Sequence, residues 1–282
     1  MTKKTVNVYA IHSNRPDFIA LQAMSFSKWM KTDHNLIVVN NADAEADFLK
    51  IEEEAKKYSL KTIRTKSERN LPGFKHADAL KQSWAHVCKD KENFAMFVDG
   101  DIFMVGDFDV EQYLGGHVMA GSKQQRNYKW HWLTPIVMAF DMEKVPEPET
   151  IDWEGGAAPD GTRMDVAGNL FYYLEQHPEV KEKVKWMHHT WHIKEENNNL
   201  HVLPDEIKDK YDQGWNLEIF GDVFLHYCRS SNWDGQTQQH HEAKSRFVSD
   251  FVLGSINGSI VAKRTNFMVQ NDTYFGWGKW II

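Results

Sequence analysis

Cysteine is almost absent from this chain of 282 residues: it has Cys88 and Cys228, and their spacing suits neither a disulfide framework nor a zinc cluster. Free thiols in a reducing cytoplasm are the simplest reading. Long apolar runs are missing too, and no segment approaches the roughly 20 residues that cross a bilayer. The first apolar run, residues 6–11, is too short for the core of a secretion signal and reads as a strand. Nor is there a basic block. Lys and Arg are scattered and the formal net charge is -7, which argues against nucleic acid as a partner. No internal repeat or linker divides the chain, so one domain spanning residues 1–282 is expected.

What is present is an ordinary globular balance, 41% hydrophobic and 26% charged, enough to bury a sizeable core. Tryptophan is the exception, with 11 residues. Its flat face suits stacking on sugar rings, and filling a core is the alternative. Trp130, Trp132 and Trp153 are the candidates for an acceptor sugar.

The first half alternates strand and helix. Strands are expected at 6–11, 36–39, 61–65 and 94–98. A helix follows Asn14-Arg15-Pro16-Asp17, with Ile19, Ala23, Phe26 and Met30 on one face. A second carries Phe48, Ile51, Ala55 and Tyr58. Leu71-Pro72-Gly73 breaks the chain before a third, marked by Ala77, Leu80, Trp84 and Val87. Such alternation predicts an α/β fold with a mainly parallel sheet, the 94–98 strand central, and ligands at the carboxyl ends of the strands. The second half is looser. It has strands at 118–122, 135–140 and 223–227, a loop at 146–161, a helix from about Asp165, and a helical stretch at 247–253.

The chemistry concentrates at Val98-Asp99-Gly100-Asp101-Ile102. In extended chain Asp99 and Asp101 share a face, and Gly100 lets a bulky ligand approach the backbone. Hard carboxylate oxygens at a strand end suit Mn2+ or Mg2+, with a pyrophosphate completing the shell. The alternative is an Asp-Gly hairpin turn between two strands. Asp107-Phe108-Asp109 repeats the spacing and reads as surface turn.

Strand, Asp-x-Asp and strand, about a hundred residues into an alternating chain, resemble the GT-A glycosyltransferases, nearest in pattern to the glycogenin-like ones. Two further segments carry the likeness: residues 75–81, Lys-His-Ala-Asp-Ala-Leu-Lys, and residues 224–233, Phe-Leu-His-Tyr-Cys-Arg-Ser-Ser-Asn-Trp. The resemblance implies a GT-A, Rossmann-like nucleotide-diphospho-sugar transferase fold. In it, residues 1–115 form a donor half, 116–235 an acceptor half with the metal and diphosphate loop, and 236–282 an extension. It implies that Asp99, Asp101 and His226 hold the metal, and that Asp101 acts in catalysis. His12, Asn14 and Arg15 would wall the base, with Asn40 near the base or ribose. His76, Asp78 and Lys81 would face the ribose or diphosphate, with Gly100 beneath it. The glycogenin-like loop has Gly and Lys-Pro that this chain lacks; Arg229, Ser230 and Ser231 would supply donors instead. The implied donor is a nucleoside diphosphate sugar, a UDP-sugar being favoured, and the acceptor a glycan, glycoconjugate or protein.

Several residues keep a plainer reading beside this one. A strand-end His such as His226 is often structural. Asn41 reads as turn chemistry. Asp165, at a helix start, is either an N-cap or the base that takes the acceptor's proton. His188 and His192 share a helical face without a third ligand, and the aromatic stretch 274–280 reads as core cover. A sugar-phosphate nucleotidyltransferase would need a Gly-rich loop after the first strand, where this chain has His12-Ser13-Asn14-Arg15-Pro16. A non-enzymatic carbohydrate-binding protein would bind glycan without metal or nucleotide.

Overall fold

The computed structural model describes residues 3–126, 129–187, 215, 217–228, 230 and 236–260. The first half alternates as expected: β1 (Val6–His12), α1 (Asp17–Trp29), β2 (His34–Asn40), α2 (Glu45–Lys57), β3 (Lys61–Arg64), α3 (Pro72–Val87) and β4 (Phe94–Asp99). After β5 (Ile102–Met104) come α4 (Val110–Leu114), β6 (Met119–Arg126) and β7 (Trp130–Asp141). A short ribbon, β8 (Gly156–Ala157) with β9 (Arg163–Met164), precedes α5 (Leu170–Gln176), α6 (Pro178–Lys181) and β10 (Val184–Met187). The described chain closes with β11 (Glu218–Phe220), β12 (Phe224–His226) and a long helix, α7 (Gln238–Asn257).

Seven strands form the main sheet in the order β10-β6-β7-β4-β1-β2-β3, which puts β4 at its centre. β1, β2, β3 and β4 are mutually parallel, β7 runs antiparallel to β4 and β6, and β10 pairs parallel with β6. Strand side chains alternate between faces. Tyr9, Ile11, Ala95 and Phe97 enter one core, while Val8, Ala10, Met96 and Val98 enter the other. Both faces being covered explains why β4 is a continuous apolar run. On the first face, Trp84, Phe97, Phe140 and Trp153 interlock, with the Trp84 ring 5.0 Å from both Phe140 and Trp153. Each such pair is worth roughly 1 kcal/mol beyond burial.

A second, three-stranded sheet has the order β11-β12-β5. The turn at Gly100–Asp101 therefore carries the chain from one sheet into another, and the Asp-Gly hairpin is excluded because β4 and β5 do not pair. α7 packs on α1, its Val248, Phe251 and Val252 joining Phe18 and Leu21. Among the described residues, no helix is long and apolar enough to cross a membrane.

Some expectations fail in detail. α3 starts at Pro72 instead of after a break, since proline suits the first helical turn. The helix expected from about Asp165 starts at Leu170, because Ala167 takes a left-handed φ of 62° that no helix can carry. The stretch 247–253 is part of the longer α7. Asp107 and Asp109 stand at the surface as expected: Asp107 pairs with Lys31, and Asp109 caps α4 by accepting from Gln112 N–H. Residues 188–200 and 274–280, with His188 and His192, lie outside the described residues.

Candidate functional site

A cleft of about 670 Å³ opens at the carboxyl ends of β1, β2 and β4. One wall comes from the β1 and β2 side, with His12, Asn14, Arg15 and Asn41, and the amino-terminal turn of α3 adds Lys75 and His76. The other wall comes from the β6 and β7 side, with Gln124 and residues 134–136, joined by Asp165. Asp99, Gly100 and Asp101 line the cleft between them, at the end of the central strand.

The turn that carries the two aspartates is clasped from below. Gly100 N–H donates to Ile11 C=O at 2.8 Å. A side chain there has no room: a Cβ on residue 100 would lie 2.6 Å from Ile11 O and 2.8 Å from His12 Nδ1. The buried Gln22 amide donates to Asp99 O at 3.2 Å and Ile102 O at 3.0 Å, and its Oε1 lies 3.0 Å from His12 Nε2. Ser25 Oγ accepts from Met104 N–H. Neither Gln22 nor Ser25 belongs to a motif, yet both hold the turn.

Asp101 is 5% exposed. His226 Nε2 lies 3.4 Å from its Oδ1, and His226 Nδ1 lies 2.9 Å from Glu218 Oε2. His76 Nε2 stands 3.4 Å from Asp99 Oδ1, yet both atoms are buried without a hydrogen-bond partner. Burial acts to raise Asp101, but the charge and hydrogen bond of His226, aided by Ser230 and Lys244, hold its carboxyl down to about 2. Burial also acts to lower His226, and Asp101 and Glu218 overcome it, so the imidazole sits well above its ordinary range. For Asp99 burial prevails and pushes the carboxyl up, with His76 opposing and Asp101 adding.

These residues fit a divalent cation. Ligand atoms of Asp99, Asp101 and His226 lie within 4.8 Å of one another. Asp99 Oδ1, buried and unpartnered, is an atom that a cation would satisfy. Two carboxylates and one imidazole suit Mn2+ or Mg2+.

The other expected residues divide. His12, Asn14, Arg15 and His76 line the cleft, as does Ser230. The Arg15 guanidinium is held by Asp17 at 2.6 Å and lies 3.7 Å above the Phe18 ring. Asn41 also lines the cleft, with its Oδ1 accepting from Thr65 Oγ1. Asp165 is exposed on the cleft wall, its Oδ1 accepting from Val166 N–H and its Oδ2 3.5 Å from Gln124 Nε2, and it does not cap α5.

Asn40 is a correction: it is fully buried and donates to Phe48 O at 3.0 Å, tying β2 to α2 and not facing the cleft. Asp78 is another. Arg69 Nε holds it at 2.9 Å while Arg69 Nη1 reaches Glu154 at 2.8 Å, a clamp apart from the cleft-lining residues. Lys81 is exposed on α3 and does not line the cleft. Trp132 and Trp153 are core, and Trp130 donates to Asp160 Oδ2 at 2.8 Å, so none of the three lines the cleft. Arg229 and Ser231 lie outside the described residues. Like Gln22 and Ser25, Glu218 and the buried Lys244, whose Nζ donates to Cys228 O at 2.9 Å, had no sequence signal, whereas Cys228 was read only as a free thiol and lines the cleft.

No family model matches this chain, and no curated protein matches it. Solved structures do. TarS of S. aureus is 19% identical over 43% of this chain and 22% of its own length, with a TM-score of 0.29. The galactosyltransferase LgtC, solved with donor and acceptor sugar analogs, is 10% identical over 64% of this chain and 72% of its own, with a TM-score of 0.38. The glycosyltransferase GlyE of Streptococcus pneumoniae is 12% identical over 94% of this chain and 67% of its own, with a TM-score of 0.40. At such values, what the site does has to be read from its own residues.

Proposed function

We propose that this protein is a metal-dependent GT-A glycosyltransferase that moves a sugar from a nucleoside diphosphate sugar to a glycan, glycoconjugate or protein acceptor. The observation that carries the reading is the convergence of Asp99, Asp101 and His226 at the tip of the central strand, inside the cleft. A bound Mn2+ or Mg2+ would hold the donor's diphosphate and offset the charge that grows as the sugar leaves.

The chain's own residues do the rest. Asp101, kept ionised by His226, offers a carboxylate oxygen, and Asp99 offers a second. Glu218, 2.9 Å from His226 Nδ1, would accept the Nδ1–H, so that with a cation bound the neutral ring would turn its Nε2 lone pair toward the Asp101 side. Gly100, whose missing side chain would collide with Ile11 O and His12, lets the turn seat on β1 and so fixes where the two carboxylates stand. Asn14, Arg15 and Asn41 bound the base and ribose, a UDP-sugar being the favoured donor, while His76 and Ser230 border the diphosphate. Asp165, on the wall across from β1, takes the proton from the acceptor hydroxyl. The enzyme is placed in the cytoplasm, in keeping with the free thiols of Cys88 and Cys228.

Trp132 and Trp153, the candidates for stacking on an acceptor sugar, lie in the core instead. A thermal-shift screen of nucleotide sugars with and without Mn2+ tests the reading. Stabilisation by a nucleotide only in the presence of metal is expected, through binding linkage. No response to any nucleotide contradicts it.

A further inference from the structure

His226 belongs to two sets of ligands. Beside the Asp99 and Asp101 set, one ligand atom each from Glu218, His226 and Cys228 also lies within 4.8 Å of the other two. Glu218 and His226 are direct partners in the β11–β12 register, and Cys228 follows His226 by two residues. All three line the cleft, so an ion can reach them from solvent. The backbone of Cys228 is held in a left-handed conformation, φ 61°, with its carbonyl accepting from Lys244 Nζ at 2.9 Å.

The two sets differ in chemistry. Carboxylate oxygens with one imidazole favour a hard cation, whereas thiolate, imidazole and carboxylate are the donors of zinc and its soft relatives. We propose that Glu218, His226 and Cys228 form a second metal site, for a thiophilic cation such as Zn2+ or Cd2+, and that it excludes the cation held by Asp99, Asp101 and His226.

Exclusion follows from the imidazole. A neutral ring has one lone pair and one N–H. When the hard site is filled, the neutral ring donates Nδ1–H to Glu218 Oε2, 2.9 Å away, and its lone pair is on Nε2, toward Asp101. For the second site the lone pair must be on Nδ1, beside Glu218. The ring proton then moves to Nε2, 3.4 Å from Asp101 Oδ1, and the Cys228 thiol proton leaves to solvent. A soft cation thus removes the imidazole from the hard site and inhibits the enzyme by occupying its neighbour. The second site stands on its own geometry, whereas the exclusion rests on the function proposed above.

The test is a titration of the full chain with Cd2+, recording the ultraviolet cadmium–thiolate absorption. One equivalent is expected to saturate the band in wild type and in Cys88→Ser, and the band is expected to vanish in Cys228→Ser. No band in wild type, or a band unchanged in Cys228→Ser, overturns the site. In a second arm the protein is first loaded with Mn2+, and free Mn2+ is read by electron paramagnetic resonance as Cd2+ is added. Release at one equivalent is expected in wild type, with about tenfold more Cd2+ needed in Cys228→Ser. A full band with Mn2+ still bound, or equal release in Cys228→Ser, overturns the exclusion. Wild-type protein that binds no Mn2+ overturns the hard site instead, and the first arm still decides the soft one.

Discussion

His226 Nδ1 lies 2.9 Å from Glu218 Oε2, and the two residues face each other directly across the antiparallel pairing of β11 and β12. Glu218 is 4% exposed and His226 6%, so the contact is made away from water. With a cation bound, it would set which ring nitrogen presents a lone pair toward Asp101. Glu218→Ala is predicted to weaken Mn2+ binding by about 10- to 100-fold while the fold survives, and Glu218→Gln, which still offers an acceptor oxygen, to recover part of the loss. Mn2+ titration of the two variants checks this.

Gly100 is the second point of control. A methyl group there meets the Ile11 carbonyl at 2.6 Å, and backbone cannot swing aside as a flexible side chain does. Gly100→Ala is predicted to cost about 1–3 kcal/mol in stability, measured by denaturant unfolding, and to weaken divalent cation binding as the turn shifts.

Asp165 separates donor binding from transfer. Asp165→Asn is predicted to leave nucleotide affinity unchanged and to lower kcat by about 10²- to 10⁴-fold. Turnover with a responsive donor, compared with nucleotide titration on the same variant, is the check. An equal loss in both would remove the residue from its role as base.

How much of this was legible depended on whether the signal was local. The central strand announced itself through an unbroken apolar run, and its carboxyl end gave Asp99 and Asp101 their place. Which face of an element looks into the cleft was harder to read. His76 and Asp78 are two apart on α3, far round the helix from each other, so one looks to Asp99 and the other to Arg69. Asn40 and Asn41 are adjacent, and one turns inward while the other lines the cleft. Gln22, Glu218 and Lys244 reach the site from distant elements, and no local pattern marks a residue whose partner is far along the chain.

A test outside the cleft concerns Asp141, at the end of β7, which is bound by Lys4 and Lys144, both at 2.7 Å. Burial acts to raise this carboxyl, but the two ammonium groups win and hold it below its ordinary range. A lowered folded pKa means that the stabilisation is complete above the unfolded value, near 3.9, and is lost as pH falls through the folded one. Asp141→Asn is predicted to cost about 2 kcal/mol at neutral pH and to make stability less dependent on pH in the acid limb, as read by unfolding curves between pH 2 and 7.

The central claim is that Asp99, Asp101 and His226 grip one divalent ion that in turn holds a diphosphate. Anomalous scattering at the manganese edge, from crystals grown with Mn2+ and UDP, tests it most directly. A peak in contact with Asp101 and His226 and with the diphosphate oxygens is the predicted result. A peak elsewhere, or nucleotide bound in the cleft with no manganese beside those residues, would contradict it.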